Sequence, residues 1–442
     1  MKRTSRRAVT ALGLTGSLLA FSACGSSSSS TSATSANTGA SKTIAANTEA
    51  GGTAAAGGGT AAASGPTEKG VTLSVMIGSS GDAETNAVKA ATAAWGAKTG
   101  NTVNVIVAAD LNQQLTQAIA GGSPPDVFYG GSGGFQTLAT SNALAVTGDK
   151  ITDSKDIYPS LASVFTTGGK YYCAPKDFST LAVEINTDLW TKAGLTDADL
   201  PTTWDKLEAA AKKLTAGTVT GLVMGDSLDR LGAFMIEAGG SYQKDGKFTF
   251  DSPADLQGLQ FAQKLAKDGA LKFPKQVGAG WGGEAFGKGI AAMTIEGNWI
   301  MGAMKKDYPG VKFKVVPMPV GPTGTKGTLN FTNCWGVAAK SAHQDADVSL
   351  VSFLTTVDQQ LSFADAFGVM PSRQAAKAQF ATKFPEQAAF IDGADYAVGQ
   401  VTVPGFSQVQ QNFENAIQGL SDGSSDPKAM LADLQKNAAA LG

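Results

Sequence analysis

The chain has one histidine, His343, and three cysteines, at positions 24, 173 and 334, in 442 residues. A zinc site draws three or four such ligands at short spacing, so this supply leaves no zinc cluster. The segment GGSGG (130–134) fits the G-x-S-x-G elbow of a serine hydrolase and falls between a strand-like and a helix-like run. Ser132 would then need a base close by, and His343 sits in KSAHQDAD, which reads as the loop before a helix. GGEAFGKG (282–289) nearly matches a phosphate-binding loop. Gly289 replaces the Ser or Thr that would hold magnesium, and Glu284 would repel phosphate. Basic clusters are also missing, which argues against nucleic acid as a partner. A carboxylate pair for cleaving glycosides stays open, because its separation is a three-dimensional fact.

What is present begins with MKRTSRR, which has four cations and no acid, and apolar ALGLTGSLLAF after it. The apolar run is too short to span a bilayer, so residues 1–23 read as an export signal. SRRAV partly resembles a twin-arginine signal. Phe21-Ser22-Ala23-Cys24 resembles a bacterial lipobox, with Phe21 where a branched aliphatic is usual. That resemblance implies that Cys24 is acylated and becomes the first mature residue. The plainer alternative is a secretory signal with an incidental cysteine near the cut. Residues 24–69 follow Cys24 with Ser, Ala, Gly and Thr and almost no large apolar side chain. Such a segment cannot offset its ordering entropy and reads as a flexible tether. Its root-mean-square reach is roughly 35–40 Å.

The body after it is long enough for two domains. No later apolar run spans a bilayer. Without Lys2, Arg3, Arg6 and Arg7 the formal charge goes from -2 to -6, with 31 basic groups against 37 acidic. VTLSVMIG, TVNVIVA and PPDVFYGG read as strands, separated by helices at NAVKAATAAWGAKTGN and DLNQQLTQAIAGG. That alternation predicts a parallel sheet with helices on its faces. A second such region starts near Ser179. It holds a strand at STLAVEIN, helices at PTTWDKLEAAAKKLTAG and DSPADLQGLQFAQKLAKDG, and strands at AAMTIEG and NCWGVAA. Cys173 and Cys334 are compatible with one disulfide and equally with two buried small apolar residues.

Five motifs then line up in one order: GSPPDVFYG; YYCAPKDFSTLAVEINTDLWTKAGL with PTTWDKL; AFGKGIAAMTIEGNW; VVPMPVGP; and GVMPSR. Together they resemble the extracellular solute-binding proteins of ABC importers, nearest the carbohydrate-binding, maltose-binding-protein-like branch. The resemblance implies an α/β fold of the two-lobed, type II periplasmic-binding-protein kind, with two doubly wound lobes joined by hinge strands. The expected division is residues 70–176 in lobe one, 177–281 in lobe two, 282–332 in lobe one again, and 333–442 in lobe two with C-terminal helices. Crossings fall near residues 174–178, Trp281 and 333–336. Cys173 and Cys334 would each lie on a crossing strand, which makes a disulfide between them an expectation of this chain alone. The resemblance further implies a binding protein and not an enzyme. It would be a monomer with no cofactor and no metal, held on the outer face of the cytoplasmic membrane by its lipid. It would serve a transmembrane ABC permease.

A sugar offers hydroxyl edges and apolar C–H faces, so its site wants aromatic planes beside hydrogen-bonding groups. Trp299, at the tryptophan of GNW, is the first candidate. Trp281 lies between glycines, and Trp335 lies beside a crossing. Ser80, Gly81 and Asp82 end the first strand, and Tyr129 and Gly130 end the third. Asp177 and Phe178 follow the first crossing, and Arg373 of MPSR could fork onto hydroxyls. Trp95, Trp204 and Asp126 read as structural. A mono- or oligosaccharide is the expected ligand. The alternatives are a polyol or polyamine, for which Glu284, Asp177 and Asp82 could supply charge, or a surface serine hydrolase or glycosidase.

Overall fold

A computed structural model of the chain describes residues 68–441. The export signal, Cys24 and the tether up to residue 67 lie outside the described residues. Strand β1 (Thr72–Ile77) buries Leu73, Val75 and Ile77, the alternate side chains of its pleat. Helix α1 (Asp82–Thr99) buries Val88, Ala91 and Trp95 along one stripe. It stops at Gly100, whose φ of 79° is the left-handed cap that glycine takes without strain. The alternation continues through β2 (Thr102–Val107), α2 (Leu111–Ala120), β3 (Val127–Gly131) and α3 (Ser132–Thr140). β1 pairs in parallel with both β2 and β3, the arrangement that crossover helices permit.

Strand β4 (Ala174–Asn186) is buried along all 13 of its residues. After it come α4 (Trp204–Leu214), β5 (Thr220–Met224), α5 (Leu228–Glu237), α6 (Pro253–Lys267) and β6 (Leu271–Lys272). Next are α7 (Gly282–Gly287), β7 (Ala291–Gly297), α8 (Trp299–Asp307), β8 (Phe313–Val316) and β9 (Thr328–Val337). The last long elements are α9 (Gln344–Leu354), α10 (Val357–Phe367), α11 (Ala388–Gly393), β10 (Ala397–Val398), α12 (Phe406–Ile417) and α13 (Pro427–Ala439). The strands form one hydrogen-bonded path, β6-β5-β7-β4-β9-β3-β1-β2, with β8 also on β4 and β10 also on β9.

β4 and β9 join two halves of this path. The start of β4 pairs with β9, from Ala174 opposite Trp335 to Thr180 opposite Asn330. Its remainder pairs with β7, from Leu181 opposite Gly297 to Ile185 opposite Met293. β9 in turn runs against β3, with Val337 opposite Val127. One hydrophobic core gathers around Leu73, Trp95, Trp335 and Leu350, and a second around Leu222, Phe234, Leu259 and Phe413. The second core belongs to lobe two, and the first fills lobe one and continues into lobe two at Phe286, Ile300 and Met304.

The division of the chain between them departs from expectation in three places. Residues 282–332 were expected in lobe one, yet β7 fills the gap between β4 and β5, Met293 lying opposite both Ile185 and Leu222. An all-buried strand has no surface to mark which sheet it enters, and this one completes lobe two. Residues 333–442 were expected in lobe two, yet α9 and α10 pack on α1 of lobe one, and only α12 and α13 return to lobe two. Trp281 is no crossing residue: it precedes α7, within lobe two. The third crossing lies instead near β10, which pairs in parallel with the start of β9.

Cys173 and Cys334 form a disulfide at the lobe-one end of the two joining strands, their Cα atoms 5.7 Å apart. Both are fully buried beside Phe128, Phe135 and Phe165. The bond closes a loop that holds most of lobe two.

Candidate functional site

The carboxyl ends of β1, β3 and β7 all open on one cavity of about 1060 Å³, lined from both lobes. This is where open α/β sheets place their ligands. The joining strands contribute Asp177, Phe178, Thr332 and Asn333 to its lining.

On the lobe-one side the wall is charged and buried. Glu84, in the first turn of α1, accepts hydrogen bonds from the Ser80 amide and hydroxyl, both at 2.8 Å, and from the Tyr129 hydroxyl at 3.0 Å. Lys176 Nζ lies 3.3 Å from Glu84 Oε1, is ion-paired with Asp177, and sits 4.5 Å from the centre of the Tyr129 ring. Burial opposes the Lys176 charge, but Asp177, Tyr129 and Glu84 outweigh it and hold the ammonium above its usual range. Burial likewise opposes the Glu84 charge, and Lys176 with the Ser80 and Tyr129 hydrogen bonds brings that carboxyl below its usual range. Lys176 and Glu84 are therefore a charged pair, whereas burial outweighs Lys176 at Asp177 and raises that carboxyl above its usual range. Asp177 Oδ1 has no hydrogen-bond partner among the described residues, although Asp177 lines the cavity.

On the lobe-two side the wall is aromatic. Trp299 opens α8 and is 38% exposed, one of the few large apolar side chains left so open. Its indole donates to Glu296 Oε2 at 3.2 Å and stands edge-on to Phe331, ring centres 5.3 Å apart. The Arg230 guanidinium lies 5.1 Å from the Trp299 ring centre and pairs with Glu296 at 2.7 Å. The ring is thus held in place from one side and open to the cavity on another.

The profile of the bacterial extracellular solute-binding protein family matches residues 78–361, more than half of the chain. The chain belongs to that family. It is 26% identical over 282 residues to a putative binding protein of Brucella abortus, covering 62% of this chain and 68% of that one. To the diacetylchitobiose-binding protein of Streptomyces coelicolor it is 27% identical over 286 residues, 60% of this chain and 64% of that protein. Among solved structures, the cyclic α-maltosyl-1,6-maltose binding protein of Arthrobacter globiformis superimposes with a TM-score of 0.75 at 20% identity, covering 84% of this chain and 99% of that one. The fold is that of the maltose-binding-protein-like, type II periplasmic binding proteins.

In this solute-binding protein, six of the candidates line the cavity: Ser80, Gly81, Asp82, Asp177, Phe178 and Trp299. The other candidates do not. Tyr129 is 3% exposed and lies beneath the wall, holding Glu84 and packing on Trp335. Gly130 is paired with Cys334 in the sheet, where a Cβ would come within 3.1 Å of the sulfur. Trp335 is 1% exposed and belongs to the lobe-one core. Trp281 is partly buried against packed apolar residues, and Gly283, two residues on, leaves room for its ring, so the ring is engaged in packing. Arg373 is 3% exposed, and its guanidinium donates to the backbone oxygens of Thr355 at 2.7 Å and Thr152 at 2.6 Å. Its fork ties two loops and does not reach the ligand cavity.

Ser132 lines the cavity, but its hydroxyl donates to Gln400 Oε1 at 2.8 Å, whereas His343 pairs with Glu68 at 2.9 Å. Among the described residues, no histidine is hydrogen-bonded to the serine of the elbow-like GGSGG. Glu284 pairs with Lys288 on the surface, away from the cavity. Sequence reasoning missed Glu84, Lys176, Asn298 and Gln400, which also line it. One signal is present: Lys176 and Asp177 stand side by side at the start of a strand-like run, and buried charges come in pairs.

Proposed function

We propose that this solute-binding protein takes a mono- or oligosaccharide between its lobes and hands it to the transmembrane permease of an ABC importer. We further propose that acylated Cys24 moors it to the outer face of the cytoplasmic membrane. The observation that carries the ligand class is the pairing of walls. An exposed indole and hydrogen-bonding groups, Asp177, Ser80 and Asn333, line one cavity. A pyranose offers an apolar face to the first and hydroxyls to the second. A polyamine fits less well, because Lys176 already takes the cationic place between Glu84 and Asp177. The names of the Streptomyces and Arthrobacter relatives, both oligosaccharide binders, support the same class. Ligand touching both lobes favours the closed form. Mooring needs more than one chain, since each buried methylene contributes roughly 0.8 kcal/mol and a single acyl chain holds weakly.

Calorimetry against maltotriose, diacetylchitobiose, an arabinooligosaccharide and spermidine tests the reading. A sugar binds and is recovered uncleaved. Trp299→Ala weakens it by about 1 kcal/mol or more, roughly fivefold, the worth of an aromatic contact and its burial. Unchanged affinity removes Trp299 from the site. Spermidine binding with no sugar bound replaces the sugar reading with a cationic solute. The anchor is tested separately: Cys24→Ala releases the protein from the membrane fraction, and a variant that stays there overturns the mooring.

A further inference from the structure

Two side-chain amides cross the cleft. Gln400 belongs to the third crossing, and its neighbours Val398, Val401 and Val403 pack on the lobe-two core. Its Nε2 donates to Asp229 Oδ2 at 3.0 Å, on α5 of lobe two. Its Oε1 accepts from the hydroxyl of Ser132 at 2.8 Å, at the start of α3 in lobe one. Asp229 therefore fixes the amide so that its oxygen is presented to the other lobe. Asn298 follows β7 of lobe two. Its Nδ2 donates to the backbone oxygen of Gly368 at 2.8 Å and to Gln387 Oε1 at 3.3 Å. Gly368 caps α10, which packs on α1 of lobe one. The last carbonyls of a helix lack partners within it, so the end of α10 is a ready acceptor. The Asn298 side chain makes no cap bond to its own helix, so its amide is free for this reach. Both amides also line the ligand cavity.

We propose that Gln400 and Asn298 are interlobe latches, rooted in lobe two and hydrogen-bonded to lobe one, that bias the ligand-free cleft towards closure. This deepens the ligand-binding reading and rests on it for its purpose, but not for its first test. An equilibrium between open and closed forms moves only through groups that interact differently with the two. The Ser132 and Gly368 bonds are such groups, since both break when the lobes part. Their loss raises the open fraction, and a ligand that needs the closed form then binds more weakly in proportion.

Small-angle scattering of the full ligand-free chain is the first test. Gln400→Ala and Asn298→Ala each give a larger radius of gyration than the wild type, and the double variant a larger one still. Ser132→Ala removes only the lobe-one donor and reproduces Gln400→Ala. Combining Ser132→Ala with Gln400→Ala adds nothing further, because both delete one bond. A role in packing alone would lower the melting temperature without moving the radius. Identical radii for the wild type and all folded single variants overturn the proposal. If Gln400→Ala does not fold, Ser132→Ala decides its half. The second test uses maltotriose as probe: each single variant binds it about 2- to 10-fold more weakly, the range of one neutral hydrogen bond. Equal affinity together with a larger radius overturns the link to binding. Failure of the wild type to bind any sugar overturns the sugar reading and leaves the scattering result to decide the latch.

Discussion

Lobe one meets the cavity with buried charge, and lobe two meets it with an open ring. Lys176 and Glu84 are 9% and 5% exposed along their side chains, whereas Trp299 is 38% exposed. The Lys176–Glu84 pair is settled before any ligand arrives, since both groups have their partners within the protein. Its polar groups need no reordering on binding, which keeps the entropic cost of recognition low. The indole is the reverse. It is held at its edge by Glu296 and beside Arg230, and its remaining surface gains only when something covers it. On the proposed reading, one lobe would orient a ligand and the other would reward closing over it. A site with both walls on one lobe would bind without any reason to close.

The most drastic way to break this division is covalent. The Cys173–Cys334 bond joins residues 161 apart and encloses most of lobe two in a loop rooted in lobe one. Loop closure of that length contributes about 5 kcal/mol by restricting the unfolded chain. Cys173→Ala with Cys334→Ala should lower unfolding stability in urea by an amount of that order, with the strands β4 and β9 still paired. A loss under about 1 kcal/mol would mean that the unfolded chain is already constrained elsewhere. Next in size is Lys176→Met. It leaves Glu84 and Asp177 facing each other without their cation, and breaking a buried pair from one side costs about 3–5 kcal/mol. Denaturation together with sugar affinity reads it. If stability holds and only affinity falls, the lobe-one wall is a ligand surface and not the prearranged scaffold described above.

Much of the fold could be read from the chain, and the parts that could not share a cause. Strand and helix alternation over residues 71–131 is visible because polar and glycine breaks separate short β-rich runs from helical stripes, and the five ordered motifs carry the two-lobed reading across the body. β7 was placed in the wrong lobe because AAMTIEG is buried on both faces and its partners lie about 70 to 110 residues away, at Val223 and Glu184. At the site, exposed candidates on strand ends were found, since a polar break after a strand is a local signal. The Glu84 cluster was not, because its members come together only in three dimensions: Lys176 is 92 residues from Glu84. Trp281, Trp335 and Arg373 failed the other way. Their residue types suit a sugar, but the glycine beside Trp281 and the carbonyls around Arg373 show packing and tying as their work.

The smallest effect sets a satisfied buried charge against one with less support, both in lobe one. Asp347 lies in the first turn of α9 and is fully buried. Burial pushes its carboxyl up to about 7, with Asp126 and Glu68 adding to the rise and nearby Ser341 and His343 opposing it, and neither of its oxygens has a hydrogen-bond partner among the described residues. Unlike Glu84, which pairs with Lys176, it has no lysine beside it. Below about pH 4 the folded and unfolded chains both hold this proton. Between about 4 and 7 the unfolded chain has released it and the folded chain has not, so this group's contribution to stability falls as pH rises, and it levels off above 7. The ceiling is about 4 kcal/mol, and an amide fitted to a carboxyl's place recovers only part of that. Asp347→Asn should therefore match the wild type or fall slightly below it at pH 4.5 and exceed it at pH 8, as read by urea unfolding at the two values. An equal difference between variant and wild type at both would show that Asp347 ionises freely in the fold. The contrast between a charge that carries its own partner and one that does not would then be wrong for lobe one.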